Sequence, residues 1–292
     1  MKAPGAVWAL IVAGLLAFGG APILIRYAGD APALTLAFWR TSVVTVLLAP
    51  VALTKARGEI ASFAARDWGL IAGAGVLLGL HFMAWIGSVQ LTSIASSSAL
   101  VTTSPVFIAL LGAVALDERP ARRTVVAIGF AVVGAVILAL DSERGAGRLP
   151  NPALGNGLAL TAAALVSVYL VIGRAVRQKT SFVAYFAPLN AAAAATCALG
   201  CIVVGEPLVL TGVAVWLAVA LGVGPGLMGH GSLTVALRYL PAAFVGLLTL
   251  TEPVLATGIA AVLLGETPSV LSIVGIAVVL ASVAVVVTAR EA

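Results

Sequence analysis

The stretch LTLTEPVLATGIAAVLLGETP, residues 248–268, is apolar enough to cross a membrane but carries a carboxylate and a proline in its first half. Glu252 is costly in hydrocarbon, and Pro253 removes a hydrogen bond from any helix that contains it. A second stretch, LVTTSPVFIALLGAVALDERP at residues 100–120, is identical to it at nine of 21 positions with a constant offset of 148. Both stretches contain the spacing P-x12-E-x-P, which an apolar composition alone does not produce. The chain is therefore built from two related halves.

The composition of the whole chain is that of a membrane protein. Of its 292 residues, 62% are hydrophobic and only 9% are charged, whereas soluble domains carry about 25% charged residues. The apolar runs are long and do not alternate with polar residues, so they predict helices and exclude an outer-membrane barrel. The 31 glycines fit helices that pack closely. We expect Cys197 and Cys201 to be small packing residues.

Counting about 20 apolar residues for each crossing predicts ten transmembrane helices. The predicted spans are 5–26, 33–54, 68–90, 92–116, 121–140, 153–173, 181–204, 211–237, 240–264 and 268–289. The N-terminal apolar run has features of a signal peptide, but it is long enough to span, so we interpret it as the first span. We predict an all-α integral membrane protein with five-helix repeats over residues 1–146 and 147–292.

The positions of the basic residues predict the orientation. With the N-terminus in the cytoplasm, twelve of the 16 lysines and arginines fall in cytoplasmic segments, three fall in outer loops and Arg40 lies within span 2. This bias predicts that both termini are cytoplasmic. Because each half contains an odd number of spans, the second half enters the membrane from the opposite side, and the repeats are inverted. Inverted repeats are typical of secondary transporters.

The sequence resembles the EamA family of the drug/metabolite transporter superfamily. The resemblance rests on the five-plus-five arrangement, on residues 105–120 and 253–268 with their DE or GE and proline before the last helix, and on FWRTSVV at residues 38–44. Within the family, the chain resembles the YddG-like amino-acid exporters of bacteria. The resemblance implies an inner-membrane exporter with a central cavity lined by spans 1, 3, 4, 6, 8 and 9.

Polar residues of the first half are candidates for solute binding, since a polar group inside a span needs a partner or water. In span 3, His81, Trp85 and Ser88 share one helix face, which suits an organic solute with an apolar body and a polar end. The alternative is a histidine that bonds a neighbouring helix and a tryptophan that only packs. In span 4, Ser97 and Ser104 lie on one stripe and predict a solvated cavity face, although serine hydroxyls can instead bond backbone carbonyls.

The second half supplies three further candidates. Tyr169 in span 6 can stack on a solute or anchor a packing contact. In span 8, three glycines around Pro225 predict a soft or broken helix that can bend during gating, and His230 follows them. The formal G-x-G-x-x-G of this segment is no nucleotide site, because no strand precedes it. Glu252 can bind solute, or it can be a protonated carboxyl satisfied by a neighbouring helix.

Two prolines at corresponding positions, Pro105 and Pro253, predict symmetry-related kinks around one cavity. Each should leave a carbonyl one turn earlier without its helix partner, on Val101 and Thr249 respectively. The counterpart of Glu252 is Ser104, so the charge is an asymmetric addition.

Two other sets of charged residues are interpreted as structural. Arg40 can bind a carboxylate-bearing solute, but span 2 is not expected to line the cavity, which favours a structural role such as an ion pair or outward snorkelling. Glu118 and Glu266 each stand two residues before a proline, where they can complement the dipole of the next helix.

These features predict an inner-membrane secondary transporter that exports small amphipathic metabolites, amino acids including aromatic and bulky ones, by alternating access. Alternative solutes are drugs or hydrophobic cations, with Glu252 as the counter-charge. A remote alternative is a non-transporting membrane enzyme or receptor. His230-Gly231-Ser232 is no nucleophile–base pair, because neighbouring helical residues point apart. We expect no enzyme activity, no cofactor, no metal and no nucleic-acid partner. Protons are a possible coupling ion, and we expect a monomer or weak dimer in lipid.

Overall fold

The computed structural model describes residues 4–117, 120–144, 149–265 and 269–288, and within these ranges the regular elements are helices only. Glu118 and Glu266 lie outside the described residues, so their dipole roles stay predictions. The helical units that we number are α1 Gly5–Tyr27, α2 Ala33–Lys55, α3 Ala65–Leu91, α4 Ile94–Ala115, α5 Arg122–Arg144, α6 Pro152–Arg177, α7 Phe182–Val204, α8 Val213–Ala236, α9 Ala242–Leu264 and α10 Val270–Thr288.

Eight of these units, all except α5 and α10, are long and apolar enough in their described residues to cross a membrane. The predicted all-α membrane fold is therefore confirmed. Helices α5 and α10 lie where spans 5 and 10 are predicted and pack against each other. The total of ten crossings and the cytoplasmic termini stay predictions.

Helices α4 and α9 are broken at corresponding positions. Helix α4 is interrupted after Val101, and α9 is interrupted by a 3-10 turn, Thr249–Thr251. At each break a threonine hydroxyl donates to the carbonyl three residues earlier, over 2.7 Å from Thr103 in α4 and 2.9 Å from Thr251 in α9. These donors are related by the same offset of 148. The expectation that the Thr249 carbonyl is left unpaired is wrong, because the tighter 3-10 turn lets it accept the N–H of Glu252.

The helix contacts follow an approximate two-fold symmetry. Helix α3 packs on α6, and α8 packs on α1; α4 packs on α6, and α9 packs on α1; α2 packs on α7. Exchanging α1–α5 with α6–α10 maps the first two contacts onto each other and the next two onto each other, and it maps the α2–α7 contact onto itself. Close approach depends on small residues at matching places: a Cβ on Gly75 of α3 would lie 2.4 Å from the Leu189 carbonyl of α7, and one on Gly222 of α8 would lie 2.6 Å from Val43 of α2.

Two acidic side chains cap the starts of α2 and α7, at opposite ends of this helix pair. Glu206, just after α7, accepts the N–H groups of Leu34 and Thr35 at the start of α2, over 3.1 and 3.3 Å. Glu59, just after α2, accepts the N–H of Ser181 at the start of α7, over 2.6 Å. Each carboxylate satisfies N–H groups that a helix leaves unpaired at its start and complements the dipole there. The two helices therefore run antiparallel and are capped across the repeats.

Two arginines related by the offset of 148 bond the chain where α3 and α8 end. Arg26, from α1, donates to the Thr92 carbonyl over 2.5 Å. Arg174, from α6, donates to the Leu237 carbonyl over 2.8 Å. These carbonyls have no partner within their own helix, because the last carbonyls of a helix lack one. The repeat thus reappears in individual hydrogen bonds as well as in the helix packing.

Candidate solute-binding site

Two histidines from the symmetry-related helices α3 and α8 meet in the middle of the bundle. The rings of His81 and His230 lie 5.9 Å apart between centroids, and both side chains are buried. Three further rings contact His230 with centroid distances of 4.9 Å for Phe82, 5.0 Å for Phe18 and 6.0 Å for Tyr169. Four different helices thus contribute to one aromatic group at the interface of the two halves.

The local structure of α8 brings His230 into this group. Residues Gly222–His230 form a π-helical segment that contains Pro225. A π segment shifts the direction of the side chains that follow it and is frequent at functional sites. Gly229 lets α1 approach closely, since a Cβ there would lie 2.8 Å from Cε1 of Phe18. Gly222 and Gly229 of span 8 therefore act in packing, and the flexibility of this segment stays a prediction.

Two polar side chains of the group have internal partners. Nδ1 of His81 donates to the Ala162 carbonyl of α6 over 2.9 Å, and in the neutral ring this leaves Nε2 as the acceptor. The hydroxyls of Tyr169 and Thr234 share a hydrogen bond of 3.1 Å. Both bonds connect α6 with the helices that carry the histidines. His81 and Tyr169 therefore also hold the core together, and their binding of solute stays a prediction.

Other buried polar atoms of the core have no hydrogen-bond partner among the described residues. They include Nε1 of Trp85, Nδ1 of His230, Oε1 of Glu252, and Nε and Nη1 of Arg40. Buried polar groups in proteins are nearly always paired. A concentration of unpaired donors and acceptors beside aromatic surface is what a binding site for a polar, partly aromatic solute requires.

The position of Arg40 differs from the expectation drawn from sequence. Its guanidinium carbon lies 4.0 Å from the ring centroid of Phe82 and 5.6 Å from that of Trp85. The side chain is only 1% exposed, so it does not snorkel outward, and it forms no salt bridge with any residue in the described ranges. Although α2 is not expected to line a cavity, the long arginine side chain reaches α3. We use the name central cluster for the following residues: Phe18, Arg40, His81, Phe82, Trp85, Tyr169 and His230.

Comparison with known proteins gives the family. The sequence pattern of the EamA-like transporter family matches residues 4–140 and, a second time, residues 153–288. The chain belongs to this family. The EamA-like transporter is 30% identical over 210 residues to the aromatic amino acid exporter YddG of Ancylobacter novellus, with 71% of each protein covered. It shares its fold with a crystal structure of 23% sequence identity, with a TM-score of 0.76 and 99% of each chain covered.

Family membership confirms the resemblance found in the sequence and makes the protein a multi-pass membrane transporter. Transport of a small-molecule solute in a lipid environment follows from the family. The remote alternative of a membrane enzyme is not supported, since both the family and the named exporter are transporters.

The serines of α3 and α4 lie in a different environment from the solvated face that their pattern suggests. In the EamA-like transporter, Ser88 donates to Ser97 over 2.8 Å, and both are fully buried. Ser104 is buried too, and its carbonyl accepts the hydroxyl of Ser167 from α6. In this conformation the hydroxyls of Ser88 and Ser97 join α3 to α4, and the carbonyl of Ser104 joins α4 to α6. Their role in binding solute stays a prediction.

The three candidate gating prolines lie at irregular points of their helices. Pro105 and Pro253 stand at the starts of the second parts of α4 and α9, just after the breaks. Pro225 is buried inside the π-helical segment of α8. Proline is tolerated in the first turn of a helix, because an N–H at this position would have no partner within the helix. These positions are compatible with bending, and gating itself stays a prediction.

A cavity of about 570 Å³ lies where α1 ends and α2 begins. Its lining includes Arg26, Asp30, Gln90 and Glu206, so it contains charges of both signs. Gly87, two residues beyond Trp85 on α3, also lines it. The loops around this cavity are those that the basic-residue pattern places outside. The cavity thus lies on the predicted outer side, and no residue of the central cluster lines it.

Proposed function

We propose that this EamA-like transporter exports small amphipathic metabolites, chiefly amino acids with aromatic or bulky side chains, across the bacterial inner membrane. It crosses the membrane ten times with both termini in the cytoplasm. The observation that carries the proposal is the meeting of His81 and His230, from symmetry-related helices, within an aromatic group at the interface of the halves. A site on the symmetry axis is equally accessible from either side when the two halves move.

Alternating access provides the mechanism. Inverted halves that pack through equivalent contacts can exchange conformations, which opens a central site to one side and then to the other. The breaks of α4 and α9 and the π segment of α8 are points where such helices can bend. These points adjoin elements that carry cluster residues, so bending there changes access to the cluster.

The chemistry of the central cluster supports an aromatic or bulky solute. Phe18, Phe82, Trp85 and Tyr169 offer ring surfaces from three helices, and rings pair favourably with other rings. The unpaired polar atoms nearby suit the charged end of an amino acid. The similarity to an exporter named for aromatic amino acids supports the same solute class.

A second candidate function, export of hydrophobic cations, rests on one observation. Glu252 is a buried carboxyl whose Oε1 has no hydrogen-bond partner in the described part of the chain. A buried carboxylate without a partner attracts an organic cation through its charge. Arg40 weakens this candidate, because its positive charge acts on Glu252 from within the same core.

Solute counterflow distinguishes the two candidates. Purified protein is placed in liposomes that contain unlabelled solute, and entry of the labelled solute is followed for phenylalanine, leucine, alanine and tetraphenylphosphonium. Protein-free liposomes are the control. We expect counterflow of phenylalanine and leucine above the control, and little of the cation. Counterflow of the cation alone would favour the second candidate, and counterflow of none of these solutes would contradict both.

A further inference from the structure

Arg40 is a buried cation that the protein itself does not neutralise by contact. It has no salt bridge within the described ranges, and its Nε and Nη1 have no hydrogen-bond partner there. A guanidinium stays charged in proteins, and a charge inside a membrane protein is costly unless it is paired or hydrogen-bonded. A buried arginine left in this condition is unusual and calls for an anionic partner.

Other arginines of the chain show how a structural arginine is satisfied. Arg174 donates to the Leu237 carbonyl over 2.8 Å, and Nε of Arg177 donates to the Thr234 carbonyl over 3.1 Å. Each holds the end of a helix by bonding backbone carbonyls. Arg40 is more deeply buried than Arg177, yet its Nε makes no such bond. Its environment is therefore different from that of a structural arginine.

The residues around Arg40 stabilise its charge but do not accept hydrogen bonds from its Nε and Nη1. The guanidinium lies over the face of Phe82 at 4.0 Å and near Trp85 at 5.6 Å, an arrangement that stabilises a cation through the ring quadrupole. Glu252 acts on it electrostatically but forms no ion pair with it. In this arrangement Nε and Nη1 make no hydrogen bond with a described residue, so their N–H groups stay available to a ligand.

We propose that Arg40 binds the carboxylate of the transported solute and makes a carboxylate a requirement for transport. This inference rests on the proposed amino-acid export and adds the residue that selects for the acid group. The ring of Phe82 adjoins the guanidinium, so a carboxylate bound to Arg40 lies close to an aromatic surface. This spacing fits an α-amino acid, whose apolar side chain begins on the carbon next to its carboxylate.

The first test varies the ligand and uses the unaltered protein. Counterflow of labelled phenylalanine is measured with unlabelled 3-phenylpropionate, which keeps the carboxylate, or phenethylamine, which lacks it. We expect 3-phenylpropionate to inhibit at concentrations at least about tenfold lower than phenethylamine, because a hydrogen-bonded charge pair lost from a buried site costs at least this factor. Equal inhibition by both compounds, or stronger inhibition by the amine, would overturn the inference.

The second test varies the arginine. Arg40→Met removes the charge and keeps an apolar side chain, and Arg40→Lys keeps the charge and loses the planar group. The matched control is Arg57→Met, since Arg57 is exposed on the short helix Arg57–Ala61. We expect at least about a tenfold loss of phenylalanine counterflow in Arg40→Met, a partial loss in Arg40→Lys because lysine binds carboxylates only as a point charge, and no change in the control.

The outcomes separate this inference from the proposed function. If the unaltered protein carries no amino acid, the proposed function fails, and this inference fails with it. If it carries phenylalanine and Arg40→Met carries it at the same rate, only the role of Arg40 is refuted. Should Arg40→Met fail to fold, the inhibition experiment with the unaltered protein decides the question by itself.

Discussion

The close contact between α3 and α7 at Gly75 predicts that an alanine is destabilising at this position but harmless two residues earlier. A Cβ on Gly75 would lie 2.4 Å from the Leu189 carbonyl oxygen and 2.6 Å from Cβ of Ala192, both on α7. Gly73, two residues earlier on α3, has no atom within 4 Å of the corresponding position. The variants Gly75→Ala and Gly73→Ala therefore differ in packing but hardly in helix propensity.

The sizes of the two effects follow from this geometry. Alanine stabilises a helix by about 1 kcal/mol relative to glycine, and Gly73→Ala should show this gain alone. At Gly75 the same gain is opposed by overpacking, which costs about 1–3 kcal/mol. The cost should be at the upper end, because the atom in the way is backbone and cannot rotate aside. Because the helix-propensity gain is the same at both positions, we expect Gly75→Ala to be less stable than Gly73→Ala by about 3 kcal/mol.

The chain contains its own reporters for the measurement. Cys197 and Cys201 are free and buried on α7, and the thiol of Cys197 bonds the Gly79 carbonyl of α3 over 3.6 Å. A thiol-reactive fluorophore added in detergent should thus label the protein only as α7 separates on heating from the helices that bury its thiols. Gly75→Ala should react at a lower temperature than the unaltered protein, and Gly73→Ala at the same or a higher one. Equal midpoints for the two variants would refute the close backbone contact.

Three further predictions concern the site and the caps. His81→Ala and Trp85→Ala should each lower phenylalanine counterflow when equal amounts of folded protein are compared; unchanged kinetics would remove these residues from the site. Glu252→Gln should abolish any dependence of transport on a pH gradient, measured as flux with and without the gradient; a gradient effect that persists would exclude Glu252 as the proton carrier. Glu206→Gln should lower the unfolding midpoint, since losing a charged cap costs about 0.5–2 kcal/mol; the thiol assay detects this, and an unchanged midpoint would contradict the capping role.

The fold is predictable from the sequence because its determinants are local. Apolar length identifies the eight helices that can cross a membrane, and the repeated P-x12-E-x-P spacing identifies the two halves. The irregular points are only partly predictable. Proline marks the breaks in α4 and α9, but it does not show that a 3-10 turn and threonine hydroxyls satisfy the carbonyls there. Which of several donors captures a freed carbonyl depends on the final backbone path.

The central cluster is less predictable, because its members meet across helices. The face shared by His81 and Trp85 is visible in the sequence, since both belong to one helix. Phe18 and Phe82 carry no signal that separates them from ordinary core residues. Arg40 has a signal, a charge inside a span, but its reach to α3 depends on how closely α2 and α3 pack. The sequence thus predicts the helices and their faces, but not which side chains meet between helices.

The symmetric parts of the protein and its asymmetric buried charges have different roles. Helix breaks, terminal caps and the histidine pair all have counterparts in the other half, whereas the position matching Arg40 is Pro188 and the one matching Glu252 is Ser104. Symmetric parts can give the protein two equivalent ways to open, but they cannot orient a solute whose two ends differ. An asymmetric cation can, because it fixes the carboxylate end in both conformations. Changes to the symmetric scaffold should therefore slow all solutes alike, and changes to Arg40 should alter which solutes are carried.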